Sequence, residues 1–138
     1  MIKRRQVVKL GAGLLAARAM PLQAAISKGA DLPLITRAIP SSGEPIPVIG
    51  MGTSRTFDTP DDPQALAQLT AVMQAFFSAG GTVIDSSPMY GNAEARVGDV
   101  LSAMDKRPPV FAATKVWTTG KDEGIRQMQE SAERMAVE

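Results

Sequence analysis

Three short apolar runs recur along the chain: Ile46-Pro47-Val48-Ile49, Thr82-Val83-Ile84 and Val110-Phe111-Ala112-Ala113-Thr114. Brief apolar runs bounded by turn residues predict buried strands. The stretches between them carry apolar residues three and four apart, the period of a helix with one face inward. Leu66, Leu69, Val72, Met73 and Phe76 form the first such stripe. Thr59-Pro60-Asp61-Asp62 predicts where that helix starts, with Thr59 as cap, Pro60 at the first helical position and the aspartates at the positive end of the dipole. Gly80-Gly81 predicts its stop. A second helix is expected from about Ala93 to Met104, capped by Asn92, with Val97, Val100, Leu101 and Met104 inward; Pro108-Pro109 closes the connection. A third, about Glu123 to Ala136, puts Ile125, Met128, Ala132 and Met135 on one face, the methionines serving as core filler. Upstream, Ile35 to Pro40 and Ile46 to Ile49 flank the turn-rich Ser41-Ser42-Gly43-Glu44-Pro45. This pattern predicts a hairpin leading into the first buried strand, with Pro45 and Pro47 at an edge or a strand start.

A hairpin followed by three strand-helix units predicts an α/β fold with parallel strands. Such sheets place chemistry where the strands end. Asp85 follows Thr82-Val83-Ile84, Lys115 closes the Val110 run, and Tyr90 sits in the loop Ser86-Ser87-Pro88-Met89-Tyr90-Gly91. Parallel strands would therefore bring a carboxylate, an ammonium and a phenol to one rim. Gly50 and Gly52, after the first strand, would let the backbone pass close to a ligand or tighten the exit turn. Singly, Asp85 reads equally as a turn cap, Lys115 as a snorkelling strand-end lysine and Tyr90 as a loop anchor.

Composition narrows the chemistry. The 138 residues are 44% apolar and 21% charged, an ordinary globular balance for one domain. A net charge of +1 gives no electrostatic case for a nucleic-acid partner. With no cysteine and no histidine, disulfides, thiolate catalysis and the commonest metal ligands are excluded, so no metal site is expected. Carboxylate, phenol, amine and hydroxyl groups remain.

The first residues read as an address. Basic Lys3-Arg4-Arg5 and Lys9 precede the weakly apolar Leu10-Gly11-Ala12-Gly13-Leu14-Leu15-Ala16-Ala17, then small residues that suit cleavage near Ala19 or Ala24. The paired arginines resemble a twin-arginine export signal over residues 1–25, with residues 26–34 as linker. The apolar stretch is shorter than the roughly 20 residues a membrane span needs. A periplasmic or exported protein, handed to the twin-arginine machinery with no stable membrane span, is the expectation.

Several segments resemble the aldo/keto reductase family. Gly80-Gly81-Thr82-Val83-Ile84-Asp85-Ser86-Ser87-Pro88-Met89-Tyr90-Gly91-Asn92-Ala93-Glu94 is similar to its second strand and tyrosine loop, Ala113-Thr114-Lys115-Val116-Trp117 to its third strand and lysine, and Val48-Ile49-Gly50-Met51-Gly52-Thr53 to its first strand. The resemblance covers about Ile35 to the last residue and implies part of a (β/α)8 TIM barrel that reduces aldehydes or ketones with NADPH. It implies Tyr90 as proton donor, Lys115 as its tuner and Asp85 as the anchor of Lys115. An ammonium beside a phenol favours the ionised oxygen, and a carboxylate holds the ammonium's own charge. Gly52, Thr53 and Asp85 would face the cofactor, while Trp117 would line the substrate mouth or else be buried against the third helix. A whole barrel takes about 250 residues, and the third helix carries no stop signal, so the expectation is the N-terminal part of such a barrel over residues 35–138. The family also uses a histidine after the next strand, and this chain has none. Two other readings stay open: a lyase forming a Schiff base on Lys115, and a non-catalytic exported remnant.

Overall fold

A turn around Gly43 (φ +76°) folds the chain back on itself, pairing strand β1 (Thr36–Ala38) antiparallel with β2 (Pro45–Pro47), with Thr36 opposite Pro47. The computed structural model describes residues 33–137, so the expected export signal and most of its linker lie outside the described residues. The two prolines lack a backbone donor, and a two-stranded ribbon gives both strands a free edge where that is tolerated. Then follow β3 (Met51–Gly52), α1 (Pro63–Ser78), β4 (Val83–Asp85), α2 (Ala93–Ser102), β5 (Phe111–Ala113) and α3 (Lys121–Arg134). The second sheet runs β3-β4-β5, all parallel, with Gly52 beside Asp85 and Asp85 beside Ala113. Mixed α/β architecture with three consecutive parallel units is the expected partial barrel. Among the described residues no helix is long and apolar enough to cross a membrane.

Helix α1 begins three residues later than its sequence signal suggests. Asp62 is the cap: its backbone is extended (φ −132°, ψ 127°), its carboxylate accepts from the Ala65 N–H at 2.8 Å, and Pro63 takes the first helical position. Had Pro60 been first, Pro63 would have fallen where an N–H must bond back into the helix, and proline has none to give. A proline also pushes its predecessor toward extended backbone, the conformation a cap requires. Thr59, expected to cap, instead has a buried hydroxyl without a partner. Asp62→Ala is therefore expected to cost about 1 kcal/mol in a urea unfolding curve, whereas Thr59→Ala should not weaken α1.

The helix stops where expected. Gly80 (φ +85°) donates to Phe77 O and Gly81 to Phe76 O, the paired bonds of a left-handed helix terminus that glycine enters without strain.

The core gathers Leu69 and Met73 of α1, Ile84 of β4, Ala93, Val97, Val100 and Leu101 of α2, then Phe57 and Met135. The run Ile46-Pro47-Val48-Ile49 does not form a buried strand: β2 ends at Pro47, Val48 and Ile49 are exposed, and the parallel sheet begins only at Met51. Three helix residues expected inward are not buried either. Val72 is 52% exposed because the buried stripe runs through Leu66, Leu69, Met73, Phe76 and Phe77, and position 72 lies off its edge. Ile125 and Met128 are also largely exposed. Helix α3 buries its small residues instead: Gly124 and Ser131 are enclosed, and Gly98 of α2 lies so close that a Cβ there would stand 2.0 Å from Arg134 O. Met128 turns toward a groove with Val110, Phe111, Ala112 and Val116 along β5, one of the two outer strands of the parallel sheet among the described residues.

Candidate active site

All three parallel strands end at the same level, and their exits carry the polar groups. The Thr53 N–H bonds Asp85 O at 3.0 Å, and the Ser86 N–H bonds Ala113 O at 2.8 Å, so the ladder continues past each strand end. Thr53 and Ser86 are fully buried. The Thr53 hydroxyl donates to Asp85 O at 3.0 Å and lies 2.9 Å from Ser86 Oγ. This fixes the backbone of Asp85 and Ser86, the two residues that receive the lysine.

Lys115 leaves β5 toward β4. Its ammonium donates to Asp85 Oδ1 at 2.7 Å, to Asp85 Oδ2 at 2.6 Å and to Ser86 O at 2.8 Å. All three protons are thereby directed. The same nitrogen stands over the Tyr90 ring, 5.1 Å from its centroid, within range of a cation–π attraction. Tyr90 reaches that place from a tight turn in which its N–H bonds Ser87 O at 3.0 Å, and its ring packs partly buried against the core.

Burial is the largest single influence on the Lys115 ammonium and pulls its pKa down. The Asp85 hydrogen bonds and charge, with smaller pushes from Tyr90, together outweigh it, so the net shift is upward from the ordinary 10.5. Tyr90 acts on the ammonium through electrostatics, since the ammonium protons point at Asp85 and Ser86. A folded-state pKa above the unfolded one stabilises the fold fully at pH below about 10.5, and that stabilisation is lost as pH rises through the folded value. Urea midpoints should therefore fall more steeply for the parent chain than for Lys115→Met on going from about pH 10 to 12. Equal slopes would show that the pair contributes nothing. The side chains of Lys115 and Asp85 are 38% and 47% exposed, so water screens much of the attraction.

Asp85, Lys115 and Tyr90 thus meet at one rim. The other sequence candidates fall differently. A Cβ at Gly52 would have nothing within 4 Å, leaving that rim position open, while Thr53 is sealed and its hydroxyl engaged internally. Gly50 is glycine for packing, since a Cβ there would stand 2.9 Å from Val83 Cγ1. Trp117 is 66% exposed, which removes the option of burial against α3; its backbone N–H bonds the Gln127 side chain, and with Val116, Thr118 and Thr119 it lines a shallow hollow.

Some contributors gave no signal of their role. Glu94 is 1% exposed, accepts from Thr114 Oγ1 at 2.8 Å and lies 3.8 Å from Arg134 Nη1, joining α2, the end of β5 and α3 one residue before the lysine. Asn92 does not cap α2 with its own side chain; Asp58, 34 residues upstream, accepts from the Asn92 N–H at 2.9 Å instead.

The fold and the cluster define the class: parallel α/β barrel units with ionisable groups at the rim where their strands end. Residues 48–138 match the model of the aldo/keto reductase family, and the chain belongs to that family. Among solved structures it is similar to a thermostable aldo-keto reductase in complex with the inhibitor epalrestat (24% identity, TM-score 0.62, 75% of this chain and 39% of that one). It is also similar to an aldo-keto reductase from Klebsiella pneumoniae in complex with NADPH (26% identity, TM-score 0.58, 75% of this chain and 37% of that one). Another from Klebsiella pneumoniae, with NADP and acetate, gives 27% identity and a TM-score of 0.54, over 69% of this chain and 33% of that one. The chain spans between a third and two fifths of the length of these structures. No curated protein matches it.

Proposed function

We propose that the protein takes part in NADPH-dependent reduction of small aldehydes or ketones. The observation that carries the reading is the three-bond seat of the Lys115 ammonium, on Asp85 and Ser86 O and over the Tyr90 ring. NADPH is the cofactor because family members of similar fold were solved with NADPH or NADP. Gly52 offers an uncrowded rim backbone, and the half-exposed Asp85 carboxylate lies beside it in the sheet, so both fit as contacts for the cofactor. Thr53 shapes that wall from behind.

When bound, NADPH supplies the hydride. The carbonyl oxygen, gaining charge, needs a proton, and the Tyr90 hydroxyl is the donor. The phenolate left behind is stabilised by the ammonium close to its ring. Asp85 keeps Lys115 charged and aimed, and Ser86 O accepts a hydrogen bond from its third N–H so that the nitrogen cannot swing away. Trp117, exposed at the same end of β5, would offer an apolar surface to the substrate.

The seat of Lys115 favours reduction over Schiff-base chemistry. A lysine nucleophile must shed its proton, and here the pKa is raised and every proton is engaged. The test is NADPH oxidation followed at 340 nm across a panel of short aldehydes and ketones, beside borohydride trapping of the same compounds. Carbonyl-dependent oxidation supports the reductase; a borohydride-stable adduct on Lys115 without oxidation overturns it.

We further propose twin-arginine export for the chain, on the strength of Arg4-Arg5 and the weakly apolar stretch after them. A reporter fused behind residues 1–34 should reach the periplasm, and replacing both arginines by lysine should hold it in the cytoplasm.

A further inference from the structure

Tyr90 is held from outside its own loop. The segment between β3 and α1 reaches across to the turn after Tyr90. Its Phe57 is 2% exposed in the core, and the Phe57 N–H bonds Thr53 O at 3.1 Å. The next side chain, Asp58, accepts from the Asn92 N–H at 2.9 Å and from the Asn92 carboxamide at 3.4 Å. Gly91, between Tyr90 and Asn92, has φ +58°, and a Cβ there would stand 2.2 Å from Asp58 Oδ1. A second tie follows, Asp61 to Arg96 of α2 at 3.1 Å.

Resting on the reading of Tyr90 as proton donor, we infer that Asp58 is a positioning residue for Tyr90: by capping α2 from the β3–α1 segment, its carboxylate fixes the Tyr90-Gly91-Asn92 turn and thereby the ring over the Lys115 ammonium. The chemistry is specific. The first N–H groups of α2 lack helical partners, and a carboxylate there answers both the donor and the positive end of the dipole. Asn92 stands at the cap position without making that bond itself. Asp58 is thus the group that closes the end of α2 nearest Tyr90, and it is rooted in the segment leaving β3, whose Thr53 also fixes Asp85 and Ser86. One segment therefore sets both the proton donor and the seat of its cation. A shift of the turn by an ångström would separate them, and small misplacements of this kind are costly to a reaction that depends on alignment.

The chain contains one tyrosine, so Tyr90 alone gives a tyrosine ring spectrum. In the full chain labelled with 13C-tyrosine, the parent should show cross-peaks between the ring and the Lys115 ε-methylene. Asp58→Ala should lose most of their intensity and lower kcat about tenfold with little change in KM, as expected for lost alignment. Asp58→Asn keeps an oxygen that can accept the Asn92 N–H and should restore the cross-peaks and most of kcat. Unchanged cross-peaks in Asp58→Ala overturn the inference, as does Asp58→Asn behaving like Asp58→Ala. The ring signal decides the matter without turnover, so absence of reductase activity in the parent would count against the proposed function and leave the Asp58 inference to be judged on the cross-peaks.

Discussion

Tyr90→Phe is expected to lower kcat for carbonyl reduction by about 10²–10⁴-fold, the usual worth of a placed proton donor, while leaving the fold and the KM values nearly unchanged. The ring is what Tyr90 contributes to structure: it packs partly buried against the core and lies under the Lys115 ammonium, 5.1 Å from centroid to nitrogen. Phenylalanine keeps both, since its face also attracts a cation. Only the hydroxyl is lost, and with it the proton that the developing alkoxide requires. Steady-state kinetics with NADPH and a reactive aldehyde, beside far-ultraviolet circular dichroism, make the check. A Tyr90→Phe variant that keeps parental kcat would remove Tyr90 from the chemistry and with it the proposed mechanism. A variant that loses activity together with its fold would show that the hydroxyl holds the structure, again contrary to the site described.

Features governed by neighbours in sequence were legible before the structure. Gly80-Gly81 announced the end of α1 because a left-handed terminus needs glycine whatever surrounds it. The carboxylate, phenol and ammonium could be placed at one rim because parallel strands leave their C-terminal residues at the same edge, as Asp85 beside Ala113 shows. What failed to show depends on partners far along the chain. Asp58 sits in a polar stretch like any other, and nothing local says that its acceptor serves Asn92, 34 residues away. Glu94 reads as a surface acid at the start of a helix until Thr114 and Arg134 are folded onto it. The start of α1 was misplaced because two prolines, at 60 and 63, compete for one first turn, and the later one decides. Ile125 and Met128 follow a helical period, but the period identifies an apolar face and not what lies opposite it. Helix α3 was drawn onto α2 by its small residues, which a search for large apolar side chains passes over.

The meeting of α2 and α3 gives the stability prediction with the largest expected effect. At Gly98 a Cβ would stand 2.0 Å from Arg134 O, 3.0 Å from Arg134 C and 3.2 Å from Met135 C, all backbone atoms near the end of α3. No rotamer change can relieve a collision with backbone; one helix must move. Moving α3 outward unseats Met135 from the core, where it is 2% exposed, and lengthens the approach of Arg134 to Glu94, whose other oxygen accepts from Thr114 at the end of β5. Alanine in a helix gains up to about 1 kcal/mol over glycine, whereas overpacking costs about 1–3 kcal/mol and sometimes more. The clash wins. Gly98→Ala is expected to lose about 2 kcal/mol of stability, and Gly98→Val more, because a branched side chain adds a second collision. Against a typical total of about 5–15 kcal/mol the valine variant should lose a large share of its stability and unfold at a clearly lower urea concentration than the parent. Gly52→Ala is the matched control: a Cβ there meets nothing within 4 Å, so its stability should stay within about 0.5 kcal/mol of the parent. Urea unfolding of the three variants and the parent, followed by circular dichroism, gives the ranking. A Gly98→Ala variant as stable as the parent, or more so, would mean that α2 and α3 do not approach this closely, and the Arg134–Glu94 approach would fall with it.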